Sequence, residues 1–180
     1  MTKLELSTAA VVFSLLLAAP AAAQPRIQKG SRELAAHVSL DFEGAVGDTI
    51  SADAGYGWFV RDGLLLLGTV SYAILEDVAA EDSDFRTSEL GVAAEYHFRR
   101  DRNLVPYLGL GVGWRSTEFD DVTNRGVTYG PRAGIKLFLA DNVALDFELV
   151  YRLARDDLFV NDFVVEDSDL TSAIGLRVLF

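Results

Sequence analysis

The sequence of 180 residues contains no cysteine, so it can form neither a disulfide framework nor a thiolate metal site. A lipoprotein, which carries its lipid on a cysteine after the leader, is excluded for the same reason. Positive charge is also scarce, since 16 lysines and arginines against 27 aspartates and glutamates give a net charge of −11. Nucleic acid, whose phosphates favour a basic partner, is therefore not an expected ligand.

Long apolar runs are absent beyond the N-terminal region, although half of the chain is hydrophobic. A membrane-spanning helix needs roughly twenty apolar residues, so helical spans are not expected. The apolar run over 9–19 is too short for such a helix, ends at Pro20 and is followed by three alanines. A short apolar run before small residues is typical of a secretory leader. We predict a signal peptide over residues 1–23, and a retained anchor is the alternative.

The C-terminal segment 170–180 alternates between apolar residues and small or charged ones. Leu176, Val178 and Phe180 fall on one face, whereas Gly175 and Arg177 fall on the other. A period of two is that of a β-strand, and the apolar face suits a hydrophobic environment. Together with a secretory leader, such a strand predicts a location in the outer membrane of a Gram-negative bacterium.

The same alternation recurs along the chain and divides it into eight segments. These segments cover residues 33–43, 50–61, 64–74, 89–99, 107–115, 132–139, 143–152 and 170–180. Eight such segments in series are typical of a transmembrane β-barrel, in which lipid-facing and lumen-facing residues alternate. We predict an all-β fold, an eight-stranded antiparallel up-and-down transmembrane β-barrel over residues 33–180. A short periplasmic N-terminal segment, 24–32, would precede it.

Three connections between these segments are tight, and each ends in a residue that accepts a left-handed backbone. They are 61–63, 101–103 and 140–142, which end in Gly63, Asn103 and Asn142. Three-residue hairpin loops would preserve the assigned facing by pairing Val60 with Leu64, Arg100 with Leu104 and Leu139 with Val143.

The remaining connections are longer and acidic, apart from the short first one, and alternate with the tight turns along the chain. They are 44–48, 76–84, 116–125 and 154–167. Transmembrane barrels have short turns in the periplasm and longer loops outside the cell. The alternation of lengths therefore predicts which end of the barrel faces the periplasm.

Outward aromatic residues sort into two bands once the strand directions are fixed. The outer band contains Phe42, Tyr72, Trp114, Tyr129 and Tyr151, and the periplasmic band contains Tyr56, Trp58, Tyr96, Phe98 and Phe180. Aromatic rings prefer the two membrane interfaces, so the bands are predicted to be aromatic girdles. A soluble lipid-binding barrel would instead have apolar residues inside and polar ones outside.

Segments 105–114 (VPYLGLGVGW), 130–138 (GPRAGIKLF) and 177–180 (RVLF) resemble the small outer membrane β-barrel superfamily, which includes the transmembrane domain of outer membrane protein A. The resemblance covers essentially the whole mature chain and concerns fold and insertion rather than one activity. It implies insertion by the barrel-assembly machinery, which reads the last strand, with Phe180, Val178 and Leu176 as the assembly signal. Since the sequence stops at Phe180, we expect no peptidoglycan-binding domain to follow.

Function depends on the side chains inside the barrel rather than on the fold. Charged residues predicted to form an interior charge network are Asp41, Glu43, Asp53, Glu89, Glu95, Arg99, Arg115, Arg132, Lys136, Asp146, Glu148, Arg152 and Arg177. Inward glycines would make room for the long cations. Because eight strands enclose little volume, we predict a plugged, salt-bridged lumen. The alternative is a gated ion path in which a carboxylate exchanges arginine partners.

An enzymatic role would need a histidine beside a serine and a carboxylate. His37, Ser39 and Asp41 share the inward face, but an enzyme acting on membrane lipid would expose its nucleophile outward. A hydrogen-bonded interior histidine is therefore expected. The carboxylates lack the spacing of a metal site, so we predict no catalytic residue, cofactor or metal. The acidic loops could bridge divalent cations to lipopolysaccharide phosphates or be solvated tips.

The sequence thus predicts a non-enzymatic, monomeric outer membrane barrel that contributes to envelope integrity or surface interaction. Its expected partners are outer membrane lipids and lipopolysaccharide, with the barrel-assembly machinery during biogenesis and no nucleic acid. A low-conductance ion channel or porin, and a lipid A-modifying enzyme, are the alternative functions.

Overall fold

The computed structural model describes residues 27–41, 49–76, 84–119, 122–155, 159–161 and 164–180. The predicted signal peptide, 1–23, lies outside these residues, as do Phe42 and Glu43. The side chain of Asp41 is likewise outside the description, although its backbone belongs to a strand. The described residues contain no helix that is long and apolar enough to cross a membrane.

Eight strands close into one antiparallel barrel, in which the first strand pairs with the last. They are β1 (Arg32–Asp41), β2 (Thr49–Arg61), β3 (Leu64–Glu76), β4 (Asp84–His97), β5 (Leu104–Phe119), β6 (Val122–Ala140), β7 (Val143–Ala154) and β10 (Ser168–Leu179). A separate two-stranded hairpin of β8 (Phe159–Asn161) and β9 (Val164–Glu166) lies in the connection between β7 and β10. The predicted fold class and strand number are confirmed.

Burial alternates along the strands as the period-two pattern predicts. In β1, Glu33 and His37 are buried, whereas Leu34 and Val38 are exposed. The exposed apolar side chains continue around the barrel, and Leu110 reaches an exposed fraction of 67%. Because closure pairs every strand on both sides, the backbone hydrogen-bonding groups are satisfied within the wall, as a hydrocarbon environment requires.

The turn between β2 and β3 keeps the predicted facing but not the predicted pairing. Leu64 pairs with Arg61 rather than with Val60, which forms a bulge. Gly63 has a φ of 79°, the left-handed conformation expected at this position. A bulge inserts one residue into one strand, so the register on both sides of the turn still places the same residues inside.

The turn between β6 and β7 is built in the same way, with Val143 paired to Ala140 and Leu139 in the bulge. The predicted pairing of Leu139 with Val143 is therefore wrong, although the facing is preserved. Asn142 does not adopt a positive φ, so the predicted left-handed residue is also wrong here.

The connection between β4 and β5 is longer than predicted and covers residues 98–103. It contains no ladder pair between Arg100 and Leu104. Among the residues that the structure describes, Arg99 is the one non-glycine residue with a positive φ, at 49°, whereas Asn103 has none. Turns 61–63, 98–103 and 140–142 lie together at one end of the barrel, here called the tight-turn end.

The opposite end differs from the prediction at the β5–β6 connection. The two strands continue as a hairpin until Phe119 pairs with Val122, so the predicted loop over 116–125 is wrong. Thr117 and Thr123, whose β-branched side chains favour extended backbone, lie in this extension. The hairpin therefore projects beyond β7, which pairs with β6 only as far as Thr128, whereas β4 follows β5 as far as Phe119.

Candidate functional site

The interior of the barrel contains three groups of side chains, ordered from the tight-turn end. The apolar floor consists of Ile27, Phe59, Leu65, Leu67, Ala93, Val105, Phe138, Ala144 and Leu179. The central charge network consists of Glu33, His37, Asp53, Glu95, Tyr107, Arg132, Lys136, Asp146, Glu148 and Arg177. The upper layer contains Glu89, Arg115, Thr128, Arg152, Asp169 and Thr171.

The apolar floor closes the tight-turn end of the lumen. Phe59, Leu65 and Val105 are completely buried, and Phe138 is nearly so. These residues occupy the first inward positions next to the turns, where the strands begin or end. Their side chains form one buried apolar cluster at this end.

The N-terminal segment, which precedes β1, contributes a side chain to the apolar floor. Ile27 is 2% exposed and packs in the apolar cluster. The Gly30 N–H donates to the Phe59 carbonyl at 2.8 Å, and the Phe59 N–H donates to the Ser31 carbonyl at 2.9 Å. The Lys29 N–H donates to Asp62 Oδ1 at 2.8 Å. Residues 27–31 are thus hydrogen-bonded to the end of β2 and to the β2–β3 turn, at the tight-turn end of the barrel.

Arg177 lies at the centre of the charge network and is completely buried. Its Nε donates to Asp146 at 2.5 Å, and its Nη1 donates to Glu33 at 2.8 Å and to Glu95 at 3.1 Å. Its Nη2 donates to the Tyr107 hydroxyl at 3.0 Å. The guanidinium therefore joins side chains of β1, β4, β5 and β7, which ties non-adjacent strands together.

Lys136 occupies the boundary between the network and the floor. Its Nζ donates to both oxygens of Glu33, at 2.8 and 2.7 Å. The same ammonium lies 5.9 Å from the ring centre of Phe59 and 5.3 Å from that of Tyr107, within cation–π range. The aromatic faces thereby cover a charge that the lumen has removed from bulk water.

A second arginine completes the network on the side of β6. Arg132 Nε donates to Glu148 Oε1 at 2.7 Å and lies 3.3 Å from Glu95 Oε1. The hydroxyl of Tyr107 lies 3.1 Å from carboxylate oxygens of both Asp146 and Glu148. The buried cations Arg132, Lys136 and Arg177 therefore each have at least one carboxylate partner. Removal of such a partner would leave an uncompensated buried charge.

His37 is a hydrogen-bonded interior histidine, as expected from the sequence. Its Nδ1 lies 2.9 Å from Asp53 Oδ1, and its Nε2 lies 2.7 Å from Asp146 Oδ2. The hydroxyl of Ser39 is hydrogen-bonded to that of Ser51. Because both ring nitrogens face carboxylates, the imidazole links two acids of the network.

His97, the other histidine, lies between the floor and the network. Its ring stacks on Tyr107 at a centroid distance of 5.2 Å and meets the edge of Phe59 at 5.2 Å. Its Nδ1 is 3.2 Å from the Gly63 carbonyl. The contacts of this histidine are those of a packed interior residue.

The upper layer is more accessible than the network below it. Arg115 Nε donates to Glu89 at 2.9 Å, and Thr128 donates to the other oxygen of the same carboxylate at 2.9 Å. Arg152 donates to Thr171 at 3.0 Å and lies 3.5 Å from Asp169. The side chains of Arg115 and Arg152 retain exposed fractions of 14% and 19%.

The structure places ten of the predicted interior charges inside the barrel: Asp53, Glu89, Glu95, Arg115, Arg132, Lys136, Asp146, Glu148, Arg152 and Arg177. Arg99 is a correction, because β4 ends at His97 and Arg99 is exposed in the following turn. The predicted charge list omitted Glu33, and it could not include Tyr107. Both residues occupy inward positions of the same period-two pattern, and this position could have identified them as members of the network.

The inward glycines make room for a wider set of side chains than the predicted cations. A Cβ on Gly134 would overlap the Tyr107 ring and lie 2.6 Å from the Phe147 carbonyl oxygen. Gly175 makes room for the ring of His37, whereas Gly109 lies against Arg132 and Glu95. Small inward residues therefore accommodate aromatic rings as well as long charged chains.

The outward aromatic residues of both predicted bands are exposed where the structure describes them. They are Tyr72, Trp114, Tyr129 and Tyr151 towards the long connections, and Tyr56, Trp58, Tyr96, Phe98 and Phe180 at the tight-turn end. Of the predicted assembly signal, Val178 and Phe180 are exposed on the same face, and Leu176 is half-buried.

The sequence from residue 8 to residue 177 matches the model of one protein family, described as the outer membrane protein β-barrel domain. This match covers most of the chain and includes seven barrel strands completely and β10 as far as Arg177. No curated protein sequence matches the chain.

Several solved structures share the fold. Neisserial surface protein A (NspA) is 21% identical with a TM-score of 0.59, and the match covers 83% of this chain and 96% of that protein. The N-terminal β-barrel domain of OprF from Pseudomonas aeruginosa is 20% identical, with a TM-score of 0.56 and coverages of 84% and 98%. Ail, the attachment invasion locus protein of Yersinia pestis, is 14% identical, with a TM-score of 0.55 and coverages of 85% and 100%.

Proposed function

This chain belongs to the outer membrane protein β-barrel domain family, and on that premise we propose that it is a closed, non-enzymatic barrel that contributes to envelope integrity or to surface interaction. Its location is the outer membrane. The tight-turn end faces the periplasm in this proposal, and the longer connections face outward, as is usual for such barrels. The exposed apolar wall contacts membrane lipid, and the barrel acts as a monomer.

The apolar floor is the main evidence for a lumen that is closed to ions. Phe59, Leu65 and Val105 have no exposed surface, and Ile27 adds a side chain from below. A hydrated ion crossing this layer would have to displace tightly packed apolar groups or lose its own water. Eight strands enclose an interior just wide enough to be filled by side chains, which is the condition for such closure.

The central charge network supports the same proposal by a second route. Opening a path through it would separate Arg177 or Lys136 from carboxylates that are equally buried. Leaving one buried charge without its partner costs about 3–5 kcal/mol. The network is therefore expected to remain closed and to stabilise the barrel.

A low-conductance channel is the second candidate, because one carboxylate is shared. Glu95 lies 3.1 Å from Arg177 and 3.3 Å from Arg132, so it could move from one cation to the other without becoming unpaired. Such an exchange would open the network but would leave the floor in place. A conducting state would need movement of the floor as well.

Single-channel recording in planar bilayers tests the closed state. We expect the wild-type protein to show no resolvable conductance. A Phe59→Ala, Phe138→Ala, Arg177→Gln variant, which opens both the floor and the central charge network, is expected to conduct. Leu90→Ala, Leu110→Ala is the matched control, since it removes two exposed outward side chains. Regular conductance steps of the wild-type barrel would overturn the closed state and favour the channel.

Strains that lack the gene distinguish the two proposed roles. A role in envelope integrity predicts increased entry of detergents and large antibiotics, restored by the wild-type gene. A role in surface interaction predicts a normal barrier with reduced attachment to surfaces or cells. Altered lipid A in an overexpressing strain, detected by mass spectrometry, would contradict the non-enzymatic proposal.

A further inference from the structure

The two ends of the barrel carry opposite charge, although the chain as a whole is strongly acidic. The end opposite the tight turns contains segments 44–48, 76–84, 116–125 and 154–167, which carry fourteen acidic residues against two arginines. At the tight-turn end, six cations outnumber three carboxylates. The cations are Lys29, Arg32, Arg61, Arg99, Arg100 and Arg102, and the carboxylates are Asp62, Asp101 and Asp141. We call these six cations the basic rim.

Hydrogen bonds fix the turns that carry the basic rim to neighbouring strand ends. The His97 N–H at the end of β4 donates to the Gly63 carbonyl at 2.7 Å, which links β4 to the β2–β3 turn. The Phe138 N–H donates to the Asn103 carbonyl at 2.7 Å, which links the β4–β5 connection to the end of β6. Because each bond joins a turn residue to the end of a neighbouring strand, the turns that carry these cations are fixed to the barrel wall.

Most of the rim is available to an external partner. Lys29, Arg61, Arg99 and Arg102 are exposed. Arg100 Nη1 lies 3.7 Å from Asp62 Oδ2, but the two side chains remain 36% and 63% exposed. Arg99 lies beside Arg100 in the β4–β5 connection and has a positive φ, which is unusual for a residue other than glycine.

Arg32 places one edge of the rim at the level of an aromatic band. It lies opposite Trp58 in the β1–β2 register, and its N–H and carbonyl both pair with Phe180. Trp58 and Phe180 are exposed on the outer wall, at fractions of 54% and 59%. Aromatic rings of this kind lie at the depth of the lipid headgroups, and arginine side chains extend towards phosphates there.

We propose that the basic rim binds the phosphate groups of anionic phospholipids in the periplasmic leaflet of the outer membrane. The proposal depends on the tight-turn end facing the periplasm. Guanidinium groups form paired hydrogen bonds with phosphate, and clusters of basic residues beside a membrane attract anionic lipid. The acidic connections at the other end would repel the same headgroups, so the charge difference also favours one orientation of the barrel.

Lipid selectivity of the refolded barrel in symmetric vesicles tests the proposal. Vesicles of phosphatidylcholine with a minor fraction of phosphatidylglycerol expose the rim to both headgroups whichever way the barrel inserts. Spin-labelled forms of the two lipids then give the ratio of their association constants with the protein. We expect the wild-type barrel to prefer phosphatidylglycerol, and we expect added salt to reduce that preference because exposed charges are screened.

Two triple variants with the same net charge separate the rim from a general charge effect. R61Q/R99Q/R102Q neutralises the rim, and R86Q/R125Q/R155Q removes three exposed arginines towards the other end. We expect the rim variant to lose at least about fivefold of the preference, the effect of one basic residue near an anionic surface. The control should retain it. Heat-modifiable gel mobility shows that each variant has folded.

The remaining outcomes contradict the proposal. Equal losses in both variants would mean that the preference reflects net charge, and a wild-type barrel without preference would exclude phospholipid as the partner of the rim. If lipid selectivity is unchanged in R61Q/R99Q/R102Q while its binding to purified peptidoglycan is lost, the rim contacts the cell wall instead.

Discussion

The Lys136 ammonium on β6 donates to both carboxylate oxygens of Glu33 on β1, at 2.8 and 2.7 Å. The two residues are 103 positions apart in the sequence and belong to strands that are not neighbours in the barrel. Both side chains are fully buried. The pair therefore crosses the lumen and holds two parts of the wall together, which a salt bridge between adjacent strands could not do.

Removal of this ammonium should destabilise the barrel strongly. In Lys136→Met, Glu33 keeps only its contact with Arg177, and the loss should be about 3–5 kcal/mol. The control Arg125→Gln removes an exposed charge near the end of the β5–β6 hairpin and should cost about 0–1 kcal/mol. Urea unfolding of the refolded proteins in liposomes measures both changes. Equal midpoints would show that the lumen is hydrated and that its charges are solvated.

A double substitution tests whether the effect belongs to the pair. Adding Glu33→Gln to Lys136→Met should recover part of the lost stability, because the carboxylate left with one partner is removed. The recovery is expected to be partial, since Arg177 also loses a partner in Glu33→Gln. If the stability losses of Lys136→Met and Glu33→Gln simply add in the double variant, the two side chains do not interact.

The wall of the barrel was predictable from the sequence, but the pairing of its interior charges was not. Leu110 and Gly111 illustrate the wall, because period-two alternation assigns each to a face without reference to any other strand. The contact of Lys136 with Glu33 depends instead on how far each strand is shifted relative to strands further round the barrel. Alternation within one strand contains no information about that shift.

The errors at the strand ends have a related cause. Alternation assigned Arg99 to the interior, but nothing in the pattern shows that β4 ends two residues earlier. The acidic composition of 116–125 suggested a loop, whereas β-branched residues continue the β5–β6 pairing as far as Val122. The apolar floor was also missed, although Phe59 and Phe138 both occupied inward positions in the pattern.

The depth of the outward residues of β5 predicts a large difference in stability between two leucine substitutions. Leu110 is 67% exposed near the middle of the wall, and Leu104 is 51% exposed at the tight-turn end. Arginine at a lipid-facing position costs about 2–4 kcal/mol at mid-membrane and about 0–1 kcal/mol near the interface. We therefore expect Leu110→Arg to lower the unfolding midpoint in liposomes far more than Leu104→Arg. Similar midpoints for the two variants would contradict the assigned depth of Leu110.

The attachment of the N-terminal segment depends on one apolar side chain. Ile27→Ala should loosen residues 27–31, because Ile27 is the member of the apolar floor that this segment supplies. Hydrogen exchange of the Gly30 and Phe59 amides, which bond between the segment and β2, should become faster. Lys29→Ala is the control, since Lys29 contributes a backbone N–H rather than its side chain. Unchanged exchange in Ile27→Ala would show that the hydrogen bonds alone hold the segment.

Two glycines of the barrel should differ in their tolerance of a methyl group. Gly134→Ala would place a Cβ against the Tyr107 ring and 2.6 Å from the Phe147 carbonyl oxygen, and should cost about 1–3 kcal/mol. At Gly68 the nearest atom would be the Tyr56 carbonyl oxygen at 3.8 Å, an ordinary contact, and a change within about 0.5 kcal/mol is expected. Unfolding midpoints give both values. A well-tolerated Gly134→Ala would mean that Tyr107 can leave its place in the charge network.

Substitutions of Phe180 and Phe98 separate assembly from stability at the tight-turn end. Phe180 and Phe98 are both exposed there, at 59% and 40%, so replacing either ring by alanine removes about 1.5–3 kcal/mol of apolar contact at most. A barrel closed on all sides can tolerate such a loss once formed, and both variants should refold in detergent micelles. If Phe180 acts as the assembly signal, Phe180→Ala alone should be depleted from the outer membrane and degraded in the periplasm. Gel mobility with and without heating measures the folded fraction in cells and in micelles. Normal outer membrane levels of Phe180→Ala, or equal depletion of Phe98→Ala, would refute a signalling role, because the two rings would then act only through contact with lipid.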